Sequence, residues 1–133
     1  MIRWHRTAPV LLLLLLLGCS GNSNHQLSGK VQYAGQPVPA GEILFMPDPE
    51  KGNSGPGVLA IIKDGTYTLP EGKGHVGGAY IARITAFDGV PPPASPDEEP
   101  ADQRGKVLIS DHVVKLELPA QTTTHDFDVP AAP

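Results

Sequence analysis

The residues able to do chemistry in this 133-residue chain are one thiol, Cys19, a run Ser110-Asp111-His112, and imidazoles at His75, His112 and His125 with Asp126 and Asp128 near the last. A serine, an acid and a histidine together suggest hydrolysis, but an extended segment points Asp111 away from the other two. Ser110 and His112 are then about 7 Å apart, outside hydrogen-bond reach. The run reads instead as polar residues at a break in a strand. Three histidines and a carboxylate could hold a metal. No His-x-His or His-x3-His spacing occurs, and a hairpin of the last two strands would put His125 inward near Leu116 with His112 at its far end. Asp97-Glu98-Glu99 with Asp102 lacks a glycine-hinged ligand loop, so a solvated acidic linker is expected rather than a calcium site. No catalytic residue, metal or cofactor is expected.

Cys19 has a more specific context. Arg3 and Arg6 precede Val10 and seven leucines, after which come Gly18 and Cys19. Basic, apolar and small residues in that order form a removable export signal. The apolar run is too short to cross a bilayer, which takes about 20 residues. Leu16, Leu17, Gly18 and Cys19 together resemble the bacterial lipobox. That resemblance implies cleavage after Gly18, two acyl chains on the Cys19 sulfur and a third on its amine. One acyl chain anchors marginally, whereas two or more hold stably. Cys19 is the only cysteine, so no disulfide is available, and an unmodified lone thiol would be a liability in an oxidising compartment. Ser20 after the cysteine implies, by the enterobacterial sorting rule, transfer to the outer membrane. The expected location is a bacterial cell envelope, with membrane lipid as the first partner.

Residues 1–18 are therefore expected to be a lipoprotein signal peptide, and residues 19–26, small and polar, a lipidated flexible spacer. Removing Arg3 and Arg6 with the leader moves the net charge from −4 to −6. An acidic chain with no basic run is a poor nucleic-acid partner. Among the 115 remaining residues, 25 are Leu, Ile, Val or Phe, enough for one small core and no second domain. Gly and Pro make up 28 of the 115, which disfavours long helices.

Strand signal begins at Leu27, where apolar residues alternate through Tyr33. The stretch from Ala34 to Gly41, with Pro37 and Pro39, reads as a connection. Further strands are expected at 42–46, 58–62, 66–69 and 79–87. Asp64-Gly65 supplies a tight hairpin turn, and Tyr80, Ala82, Ile84 and Ala86 share a core-facing side. Residues 88–104, proline-rich and acidic, are expected to be disordered. Two last strands, 107–118 with a break near Ser110-Asp111 and 123–129, are expected to pair as a hairpin, with Val114, Leu116 and Leu118 on the face of Phe127 and Val129. Of the six aromatics after the leader, Phe87 is the one expected to be exposed. About seven strands with turns every eight to twelve residues predict an all-β, seven-stranded antiparallel β-sandwich over 27–129, followed by a tail at 130–133.

Gly29, Val31, Tyr33, Gly35, Pro37-Val38, Gly41, Ile43, Phe45 and Pro47 resemble the opening strands of small planctomycete-type lipoproteins with a transthyretin-like or carboxypeptidase-regulatory-like domain, an immunoglobulin-like sandwich. The run Asp64 to Leu69 is similar to that family's central hairpin, and Gly78-Ala79-Tyr80 to the start of its long strand. His125 departs from the pattern, standing where the family's last strand begins with an aromatic. The chain ends without the Tyr-Arg-Gly-Ser tail of the related 5-hydroxyisourate hydrolase, so that activity does not carry over. The resemblance implies a non-catalytic binding or structural module with an envelope protein or glycan partner. The rival expectation is a secreted enzyme accessory or carbohydrate-binding domain.

Overall fold

Side chains alternate between faces along each strand, and burial follows. In β3 (Ala40–Pro47) Gly41, Ile43, Phe45 and Pro47 are buried and the residues between them are not. In β5 (Thr66–Leu69) Tyr67 and Leu69 turn inward. The computed structural model describes residues 24–99 and 101–133, and their ordered elements are strands apart from one 3-10 turn at Pro49–Lys51. The leader at 1–18, Cys19 and most of the spacer lie outside the described residues. The chain is all-β.

The remaining strands are β1 (Leu27–Tyr33), β2 (Gln36–Pro37), β4 (Val58–Lys63), β6 (Gly78–Phe87), β7 (Val107–Leu118), β8 (Thr123–Thr124) and β9 (Phe127–Val129). Seven of the nine strands form a curled antiparallel sheet in the order β2-β1-β5-β4-β3-β6-β7. Tight turns make the hairpins. Asp64 and Gly65 both take positive φ, 51° and 78°, as the Asp-Gly pair predicts. Ala34 and Gly35 do the same at 51° and 76°, so the connection after β1 is a hairpin and β2 pairs with Gln32 and Tyr33.

The expected β7–β9 hairpin does not form. Pro119 ends β7, and the chain crosses to the opposite edge, where β8 and β9 pair with β1 in parallel. Alternation shows which residues face a core but not which strand lies beside them. β1 is the strand that receives them, because it changes partners midway. Leu27 to Lys30 lie against β5 on one side, with β8 against Leu27 and Ser28, whereas Val31 to Tyr33 pair with β9, and Gln32 and Tyr33 also with β2. The Lys30 amide marks the switch by donating to Asp126 Oδ1 at 2.8 Å.

The core runs along the inner face from Leu27 and Val31 through Ile43, Phe45 and Ile62 to Ile84. Phe45, Tyr67 and Phe127 meet at its centre with ring centroids 5.7 to 6.1 Å apart, joining β3, β5 and β9. Val38, read from sequence as part of a connection, is fully buried between two prolines, with its amide donating to the Val31 carbonyl at 3.0 Å. Packing is less complete along β7. Leu108, Val114 and Leu116 are only partly buried, whereas Tyr80, Ala82 and Ile84 of β6 are fully covered.

Candidate functional site

At the end of the sheet where the chain arrives from Cys19, two histidines meet. His25 and His75 form an isolated antiparallel bridge, exchanging backbone hydrogen bonds of 2.7 and 3.0 Å. Their rings lie 5.6 Å apart, and the His75 ring stands edge-on to Tyr80. The neighbouring backbone is held as well. The Gly72 amide donates to the Asn24 carbonyl at 2.8 Å, and the Asn53 side chain donates to the Gly77 and Ala79 carbonyls. Gly74 is required there, since a Cβ would strike the His25 carbonyl.

His75 is buried, with 1% of its surface exposed. Its Nδ1 accepts from the Gly77 amide at 3.1 Å, so the proton of the neutral ring belongs to Nε2. Nε2 has no hydrogen-bond partner of good geometry, although the Gln121 and Gln26 carbonyls lie near. Burial first, and the His25 charge second, hold the imidazole below its ordinary value of 6.5. Sequence reasoning placed His75 among metal candidates and overlooked His25. The signal available was the cluster Gly72, Gly74, Gly77 and Gly78, which marks close backbone approach.

Beside this bridge a groove of about 390 Å³ is lined by Asn24, Pro47, Pro56, Val58, Val76 and Tyr80 among others. Tyr80 accepts the Val76 amide at its hydroxyl, 3.1 Å away, which fixes one wall. Asp48 underlies the next loop as a buried cap, its Oδ1 accepting from Glu50 N at 3.0 Å.

The other chemical candidates are scattered. Asp111 takes a left-handed φ of 58° at an irregularity in the β6–β7 pairing, where the strand break was expected. Its carboxylate is engaged by both donor arms of Arg83, and hydrogen bonding from the guanidinium holds it below the usual carboxylate range. It is therefore a surface ion pair and not a member of a triad with Ser110 and His112. His125 does not lie against Leu116 as the hairpin reading required. Its ring packs on Phe127 at 4.7 Å, and its carbonyl accepts the Tyr67 hydroxyl at 2.7 Å. Burial, with the Asp126 charge second, pushes that phenol well above its usual range. Among the described residues no three His, Cys, Asp or Glu side chains are grouped to hold a metal.

Phe87, expected to be exposed, is 5% exposed and lies beneath the Arg104 guanidinium, 4.0 Å from its centroid. Arg104 also pairs with Asp102 and Glu42. At the base of the 88–104 loop, Asp88 Oδ1 accepts the amides of Val90 and Lys106. The one ring expected to be exposed is thus covered.

With this geometry established, comparisons with protein-family models, curated proteins and solved structures find no match in any of the three. Among the described residues no helix is long and apolar enough to cross a membrane.

Proposed function

We propose that the chain is a bacterial envelope lipoprotein: residues 1–18 are removed, Cys19 is acylated, and residues 27–129 are displayed at a membrane surface as a non-catalytic binding or structural module. The observation that carries this reading is the sequence Leu16-Leu17-Gly18-Cys19 standing five residues ahead of Asn24, whose carbonyl makes one of the domain's first backbone hydrogen bonds. A tether that short keeps a folded module beside its anchor.

The curled sheet is read as a sandwich of the transthyretin-like or carboxypeptidase-regulatory-like type. The switch of β1 between two sets of partners supports that reading, because strands that change partners turn the corners of such folds. Binding is favoured by β7, a twelve-residue edge strand paired on one side with β6 and carrying half-buried Val114 and Leu116. Such an edge offers unpaired backbone groups to an extended partner segment.

Metabolic labelling with a palmitate analogue, comparing the unaltered chain with Cys19→Ala, tests the anchor. Label and membrane association are expected in the former and lost in the latter. Equal labelling of both would remove the proposal.

A further inference from the structure

The groove beside the His25–His75 bridge has no role in the sheet, and its position relative to the anchor suggests one. Only residues 20–23 separate Asn24 from Cys19, so the tether spans at most about 17 Å when fully extended. β7 alone is twelve residues long, about 40 Å. A domain held on a tether shorter than half its own length must keep the tether end close to the lipid.

That end carries an apolar groove wall of its own. Val76 is 41% exposed, Pro56 is exposed beside it, and both line the groove with Pro47, Val58 and Tyr80. Lys51 and Lys73 are exposed nearby, on the turn and loop that flank it, together with the exposed acids Glu50 and Glu71. The Arg104 cluster and the loop bearing Asp97, Glu98 and Glu99 follow the opposite end of β6, at Phe87, with the Arg83–Asp111 pair midway along the strand. An acidic loop pointing away from a bilayer avoids repulsion by anionic headgroups, while apolar side chains facing it favour contact.

We propose that this groove is a lipid-contact surface, with Pro56 and Val76 resting in the interfacial layer of the membrane that holds Cys19. The inference rests on the anchoring reading above. It makes the domain a body of defined orientation, standing on its tether end with β7 and the acidic loop available above the surface.

Acylation consumes the only native thiol, so Val76→Cys introduces a single free one for an environment-sensitive bimane label. The acylated full chain is reconstituted in phosphatidylcholine–phosphatidylglycerol vesicles containing doxyl-labelled lipid. Val113→Cys and Val90→Cys serve as distant exposed sites, and Pro56→Cys as a second site on the groove should Val76→Cys not fold. Blue-shifted, lipid-quenched emission is expected at 76 and 56, and water-like emission at 113 and 90. Emission at 76 and 56 as water-like as at 113, on protein that floats with the vesicles and carries its acyl mass, would overturn the lipid contact and leave the anchor standing. A chain lacking the acyl mass and failing to float would overturn both.

Discussion

Gly29 lies where β1, β5 and the β8–β9 connection come together. A Cβ there would run into the His125 carbonyl, the same oxygen that accepts the Tyr67 hydroxyl. Gly29→Ala is expected to destabilise the fold by about 2–3 kcal/mol, because backbone rather than a flexible side chain would have to move. At Gly35 nothing stands within 4 Å, so Gly35→Ala should cost only the strain of a positive φ, about 1 kcal/mol. Urea titrations of the two variants separate these causes. Its neighbour Ala34 occupies the left-handed region without being glycine. Asn tolerates that conformation, so Ala34→Asn should raise the denaturation midpoint, gaining about 0.5 kcal/mol. His75 gives a pH dependence of definite sign. Its folded value lies below 6.5, so across that interval the unfolded chain binds a proton that the folded chain does not. Stability should be complete above the unfolded value, fall as pH drops through 6.5, and stop falling below the folded value. His75→Phe, although weaker overall for want of an acceptor for the Gly77 amide, should show a flatter profile of melting temperature between pH 5 and 7.5.

Among the described strands, β7 combines length with a side that no described strand covers. Edge strands of this kind invite pairing with other chains, and natural sheets blunt them with irregularities and lysines. β7 has both: the left-handed Asp111, clamped by Arg83, and the exposed Lys115, which reaches Glu50 at 3.6 Å. Exposed ion pairs add little stability, so the lysine acts chiefly against association. Lys115→Val is expected to leave the melting temperature nearly unchanged while raising the weight-average mass in light scattering at high protein concentration. A mass that stays at the unaltered chain's value would show that the edge needs no such protection.

At the scale of the whole molecule, the two ends of the sheet differ in kind. The tether end is clamped by backbone bonds around His25, Gly72 and His75. The far end carries the 88–104 loop, whose base is held by Asp88, Arg104 and Lys106. Loop closure entropy changes slowly with length. Excising residues 92–101 while keeping that base is therefore expected to change unfolding free energy by less than about 1 kcal/mol, measured by chemical denaturation. A larger loss would mean that the interior of the loop packs on the sheet.

Alternation and turn chemistry were legible in the chain without a structure. Strands such as β5 and β6 follow from residue types, the Asp64-Gly65 turn follows from its dipeptide, and Asp111 stands where a break was expected. Those features are local: the chemistry that sets them lies within a few residues. The partners of β1, the burial of Phe87 under Arg104 and the meeting of His25 with His75 are not local. The last joins residues fifty apart through two backbone hydrogen bonds and a glycine with no room for a side chain. Alternation makes any core-facing strand an acceptable neighbour for any other, so the choice among them depends on where connections can cross and which edge remains unpaired. That choice exists only in three dimensions.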